Sequence, residues 1–175
     1  MGHLFLYGPS GAGKSTIGEL LAETLDLPFI DLDRLIEINT GMSIPQIMDE
    51  RGEPLLRDLE TAALKQVINH SEAVIALGGG ALLREENRAL VEQSGRVMLL
   101  MAELSTLFER LKKDSNERPL LAGDLRSKLA SYLESRAEHY SSFPMRVQVD
   151  GKSVEQVAQE AQVFSGRHRL ATWIV

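Results

Sequence analysis

The sequence predicts a single α/β domain in three layers, a five-stranded parallel sheet covered on both faces by helices. Two observations carry that prediction. Short apolar runs alternate with helical periodicity along the chain, the pattern of successive βαβ units. Between the first apolar run, His3-Leu-Phe-Leu-Tyr7, and the first helical stretch stands Gly8-Pro-Ser-Gly-Ala-Gly13-Lys14-Ser15, a complete G-x-x-x-x-G-K-[ST] loop. Glycine-rich turns in that position direct successive backbone N–H groups onto an anion at a helix N-terminus. With 175 residues, the chain is long enough to bury one core without disulfide or metal staples.

Each element has its own signal. Ile17, Leu20, Leu21 and Leu25 recur at i, i+3, i+4 and i+8, so a helix follows the glycine-rich loop. Further strands are expected at Phe29 to Leu32, Ala73 to Leu77, Arg96 to Met101 and Arg146 to Val149; most are near-continuous apolar runs, as in sheets buried on both faces. Ligands of such sheets bind at the carboxyl ends of the strands, where Gly8, Asp31-Leu-Asp33 and Gly78-Gly-Gly80 fall. Three separated segments should therefore meet at one crevice. Leu35 to Leu64, interrupted by Gly41, Pro45 and Gly52-Glu-Pro54, is too long for a simple crossover and predicts a helical substrate-binding insertion over about 34–64. Lys112 to Gly123 is polar and lies between helices predicted at Leu104 to Leu111 and Leu125 to His139, which predicts a lid over about 112–124.

Composition excludes several classes. Apolar residues at 43% and charged residues at 25% are ordinary globular values. The net charge of −6 argues against nucleic acid or an anionic membrane as the main partner. Ala73 to Leu83, an uncharged and largely apolar run, is too short to span a bilayer, and a first motif at residue 8 leaves no room for a signal peptide. The chain has no cysteine, which removes thiolate chemistry and suits a reducing cytoplasm. Its four histidines are scattered without ligand spacing.

The chemistry concentrates in a few positions. Gly11, Ala12, Gly13 and Thr16 frame the phosphates of a nucleoside triphosphate, Lys14 reaches the β- and γ-phosphates, and the Ser15 hydroxyl ligates Mg²⁺. Asp31 and Asp33, read as a strand end, turn their side chains to the same side. Beside a phosphate loop, one such carboxylate supports Mg²⁺ and the other engages a substrate hydroxyl. Arg57 and Glu60 are i, i+3 neighbours on a helix opened by Pro54, a spacing that fixes a guanidinium plane but is common on surfaces. Three glycines closing a core strand, Gly78 to Gly80, imply close approach of a ligand or another backbone. Arg118 lies in the predicted lid, and Arg136 ends a helix. Arginines on different helices are suited to clamp a carboxylate bidentately.

Together these segments resemble shikimate kinases, from the first strand to about residue 163. The resemblance rests on Gly8 to Ser15, Asp31-Leu-Asp33, Gly41-x-Ser43-Ile44, Gly52-Glu53 with Arg57-x-x-Glu60, Leu77-Gly-Gly-Gly80, Arg118-Pro119-Leu120-Leu121 and Arg136-x-x-x-Tyr140. It implies a P-loop NTPase fold like that of nucleoside monophosphate kinases, sheet order 2-3-1-4-5, ATP and Mg²⁺, and phosphorylation of the shikimate 3-hydroxyl in aromatic amino-acid biosynthesis. It assigns Asp33, Arg57, Arg136 and Gly78, Gly79 and Gly80 to shikimate, Lys14, Ser15 and Asp31 to phosphates and metal, and Arg118 to the lid. Lys152 falls near the position where some relatives pack a basic residue on adenine. Two pocket positions often aromatic in the family are here Met48 and Leu56. The tail 166–175 lies beyond the family's last helix and reads as the start of a fused following domain; otherwise a monomer with ATP and shikimate as partners is implied. A gluconate kinase of the same fold would share the phosphate loop without calling for Asp33, Arg57, Gly78 to Gly80 and Arg136 together. A nucleotide switch would show an eroded acceptor site, and a guanine-reading N-K-x-D element is missing.

Overall fold

The computed structural model describes residues 2–114 and 122–166. Within them, strands β1 (His3–Tyr7), β2 (Phe29–Asp31), β3 (Val74–Ala76), β4 (Gly95–Met101) and β5 (Arg146–Gln148) form one sheet in the order β2-β3-β1-β4-β5. Every pairing is parallel, with Leu6 opposite Ala76 on one side and Met98 on the other. Helices α1 (Lys14–Leu25), α2 (Leu32–Thr40), α3 (Ile44–Arg51), α4 (Glu53–Val67), α5 (Glu85–Ser94), α6 (Leu104–Asp114), α7 (Ala122–Ser135), α8 (Ala137–Ser141) and α9 (Val154–Ser165) complete the order.

Strand β1 is buried along its whole length, and the two-residue period divides its side chains between two cores. Phe5 and Tyr7 join Leu32, Leu64, Ile75 and Leu99 on one face, while Leu4 and Leu6 join Ile17, Leu21, Met98 and Val157 on the other. With β1 central, the chain builds β2 and β3 to one side and β4 and β5 to the other. The crevice at the carboxyl end of β1 is thus a topological switch point, and the phosphate loop opens there.

The insertion is three helices joined by glycines in left-handed or extended positive-φ conformations, Gly41 at φ 69° and Gly52 at φ 85°. Helix α3 starts from a capping box between Ser43 and Gln46 with Pro45 in its first turn. Helix α4 runs beyond the insertion into the main core through Leu64 and Val67, so the insertion is anchored on the sheet by a continuous helix.

Three local expectations are corrected. Asp31-Leu-Asp33 is not a strand end with two parallel carboxylates: β2 stops at Asp31, which caps α2 by accepting from Arg34 N–H at 3.2 Å, and Asp33 lies in that helix's first turn. An Asp directly before a helix makes such a cap, and the cap ends the strand. Gly78 to Gly80 follow β3 rather than closing it. The helix expected to reach His139 breaks at Arg136, whose φ of −112° and ψ of 3° separate α7 from α8. The predicted lid is helical at both described ends, where α6 continues to Asp114 and α7 begins at Ala122; Arg118 and the tail from 167 lie outside the described residues.

Candidate functional site

The phosphate loop is built by backbone that only glycine adopts easily. Gly8, Gly11 and Gly13 have φ of 138°, 84° and 90°. A Cβ on Gly8 would also sit 2.1 Å from the Leu100 carbonyl oxygen of β4, so the loop starts pressed against the neighbouring strand. Lys14 folds back over the loop and donates to the carbonyls of Gly8 at 2.9 Å and Pro9 at 3.0 Å. Burial pulls its pKa down to about 8, against the opposing pull of Asp33 and Asp31. The ammonium is therefore poised over the carbonyl edge of the loop, ready to trade those contacts for phosphate oxygens. Ser15 Oγ donates to Asp31 Oδ2 at 2.6 Å. A hydroxyl and a carboxylate oxygen side by side are hard donors, which suits Mg²⁺. Among the described residues no group of three or more His, Cys, Asp or Glu forms a metal site on its own; Mg²⁺ bound through phosphates needs only one or two protein oxygens.

A cavity of about 600 Å³ spans this region, lined among others by Ser10, Thr16, Asp31, Asp33, Arg110 and Lys152. Arg110, on α6, donates to the Gly11 carbonyl at 3.1 Å, a residue that no local motif pointed to. Lys152 lines the same cavity with its ammonium paired to Glu160 at 2.8 Å.

The other side of the crevice is organised by the three glycines after β3. A Cβ on Gly78 would lie 2.6 Å from Asp33 Oδ1 and 3.0 Å from Glu60 Oε1, and one on Gly80 only 2.3 Å from Arg57 Nη2. Each missing Cβ thus makes room for a named polar group. Asp33 is pushed up from 3.8 to about 6, first by burial and then by the Asp31 carboxylate, while Lys14 pulls the other way. Arg57 is held on both sides of its fork, by Glu53 at 2.6 and 3.1 Å and by Glu60 at 2.7 and 2.8 Å. Glu60 is almost fully enclosed, so truncating Arg57 would leave a buried carboxylate without its partner. Arg136 stands at the helix break, donates to the Gly79 carbonyl at 2.8 Å and to the Tyr132 hydroxyl, and stacks its guanidinium 3.8 Å from the Tyr132 ring centroid. Arg57 and Arg136 therefore address successive residues of one turn, each with its plane fixed.

The family model described as shikimate kinase matches residues 10–164. The chain belongs to the shikimate kinase family. The shikimate kinase of Geobacter sulfurreducens is 40% identical over 168 residues, covering 95% of this chain and 92% of that one. Among solved structures, a shikimate kinase from Acinetobacter baumannii in complex with shikimate superposes with a TM-score of 0.85 at 33% identity, over 97% of this chain and 96% of that one. A gluconokinase from Sinorhizobium meliloti, 22% identical with a TM-score of 0.61 over 95% of this chain and 92% of that one, shares the fold alone.

Within that family frame, the structure brings together Lys14, Ser15, Asp31 and Asp33 around the cavity, and Arg57, Arg136 and Gly78 to Gly80 around one turn. Leu56, on α4, is buried in the core, whereas Met48, on α3, is exposed. Tyr7, Tyr132, Tyr140 and His139 had no signal as site residues beyond the motif that ends in Tyr140. Each reaches the site through a contact with the Gly79 carbonyl or with a neighbour that makes one.

Proposed function

We propose that this chain transfers the γ-phosphoryl group of ATP to the 3-hydroxyl of shikimate, giving shikimate 3-phosphate and ADP. The observation that carries the reading is the convergence of Asp33, Arg57 and Arg136 on the Gly78 to Gly80 turn, beside a complete phosphate loop. The acceptor oxygen attacks the γ-phosphorus, the bond from that phosphorus to the β–γ bridging oxygen breaks, and ADP leaves with the electron pair. Little early deprotonation is needed in a loose transition state, so the protein's work is positioning and charge neutralisation. Lys14 stabilises charge on the β- and γ-phosphates, and backbone N–H groups from Gly11 to Thr16 cradle them. Ser15 and Asp31 would hold Mg²⁺, which supplies further positive charge at the phosphates. Arg57 and Arg136 hold the shikimate carboxylate. Asp33 orients the 3-hydroxyl and, with a pKa raised to about 6, is ionised at neutral pH yet basic enough to take up its proton. Arg118 is assigned to a lid over 112–124 that closes on the phosphates, and the insertion over 34–64 to acceptor binding; Lys152 keeps a place on the nucleotide side. The reading includes a cytoplasmic monomer with ATP and shikimate as partners and with neither nucleic acid nor membrane, supported by the net charge of −6. No helix of the described residues is long and apolar enough to cross a membrane.

A coupled ADP-release assay offering shikimate, gluconate or no acceptor tests the reading directly. ADP release that depends on shikimate is expected. Release with gluconate only, or at equal rates without any acceptor, would overturn the substrate assignment.

A further inference from the structure

Tyr7 ends β1, directly before the first glycine of the phosphate loop, and is fully buried. Its neighbour on that face, Phe5, is fully buried and apolar, and an aliphatic side chain at position 7 would fill this space without the cost of burying a hydroxyl. The hydroxyl has two partners. It lies 3.2 Å from the Gly79 carbonyl oxygen, to which it donates, and 3.0 Å from His139 Nε2. A phenol has one proton, and a carbonyl can only accept; with that proton spent on Gly79, His139 must carry its own proton on Nε2 and donate it to the Tyr7 oxygen. A directed chain results: His139 to Tyr7 to Gly79. His139 stands edge-on to the Tyr7 ring at 5.7 Å, and Tyr140 and Phe143 close the other contacts at 5.8 and 5.3 Å, so the phenol has no room to swing.

The Gly79 carbonyl at the end of this chain is the acceptor for Arg136 Nη1 at 2.8 Å, the shortest of its contacts. Tyr132 and Tyr140 hydroxyls approach it at 3.1 and 3.3 Å. Gly79 has no side chain to fix its peptide plane, and a Cβ there would meet the Tyr132 hydroxyl at 2.7 Å. The direction in which the carbonyl points is therefore set by its donors. Among these, only Tyr7 belongs to the strand that also launches the phosphate loop.

We propose that Tyr7, backed by His139, is a positioning residue that fixes the Gly79 peptide and, through it, the Arg136 guanidinium for the acceptor carboxylate. The inference rests on the reading that Arg136 holds that carboxylate. It couples the two halves of the site through one rigid side chain: the backbone of residue 7 leads into the loop that takes ATP, and its hydroxyl sets the carbonyl that anchors the acceptor clamp.

Tyr7→Phe removes the hydroxyl and keeps the ring. The shikimate KM should rise about three- to tenfold, the range of one neutral hydrogen bond, with kcat and the ATP KM within about twofold of the parent. His139→Leu should raise the shikimate KM in the same way, and His139→Gln, whose amide N–H is able to donate to Tyr7, should recover most of that loss. In an Arg136→Lys background, Tyr7→Phe should add little, because the fork it positions is already gone. Should Arg136→Lys alone leave the shikimate KM unchanged, the clamp reading fails and takes this inference with it. If instead Arg136→Lys raises that KM while Tyr7→Phe and His139→Leu lower only the melting temperature, or Tyr7→Phe costs as much in the Arg136→Lys background as in the parent, the clamp stands and Tyr7 is only a packing residue.

Discussion

Gly80→Ala isolates the role of Arg57 without touching Arg57 itself. Gly80 is not among the positive-φ glycines, so alanine fits its backbone without strain. The added Cβ would nevertheless stand 2.3 Å from Arg57 Nη2 and 2.5 Å from both Cζ and Nη1. Ordinary contact begins at 3.4 Å, so the guanidinium must retreat by roughly 1 Å. The obstacle is the far end of a flexible side chain, and the fold should survive. What changes is the aim of the fork, and a 1 Å misplacement of a positioning group costs on the order of a hundredfold. Steady-state kinetics with a coupled ADP readout should show the shikimate KM raised about ten- to a hundredfold, equivalent to about 1.4–2.7 kcal/mol, with the ATP KM within about twofold. Circular dichroism should match the parent, and the melting temperature should fall by only a few degrees as the contact with buried Glu60 loosens. An unchanged shikimate KM in a folded variant would refute the reasoning, since it would mean that Arg57 does not meet the acceptor.

Other expectations are independent of that one. Lys14→Ala should reduce phosphoryl transfer to background while retaining the fold, because the Lys14 hydrogen bonds go to loop carbonyls and not to the apolar core; turnover near the parent rate would remove the phosphate-loop assignment. In the free enzyme, kcat/KM for shikimate should fall as pH drops through about 6, where Asp33 takes up a proton, and kcat/KM for ATP should fall as pH rises through about 8, where Lys14 loses one. A pH-rate series on Asp33→Asn should lose the acid limb if that limb belongs to Asp33. The same variant bears on stability: because the folded state binds the Asp33 proton more tightly than the unfolded chain, ionised Asp33 destabilises the fold progressively as pH rises from about 4 to about 6. Asp33→Asn should therefore melt higher than the parent at pH 7.5, with the gap closing below about pH 4; a lower melting temperature at pH 7.5 would contradict the burial argument.

Elements whose chemistry is local were legible in the sequence. The phosphate loop is contiguous, and its glycines, lysine and serine declare their backbone conformation and ligand together. Arg57 and Glu60 were readable as a pair because helical spacing alone brings i and i+3 together. The parallel sheet follows from apolar runs between helical patterns, and its order from the family resemblance. Asp33 was placed wrongly, since two residues of spacing suit a strand as well as a helix start, and only the cap made by Asp31 decides between them.

What the sequence by itself determined is the fold class, the phosphate loop and the pairing of Arg57 with Glu60. Tertiary structure alone decided how the acceptor end is held. The donors on Gly79 come from Tyr7, Tyr132, Arg136 and Tyr140, between 53 and 72 residues away, and Arg110 reaches Gly11 across 99. Sequence periodicity records which face of an element is apolar, because burial repeats with the helix or strand period. It does not record where one peptide carbonyl between elements points, and that direction exists only once β1, α7 and α8 have packed against the turn that follows β3.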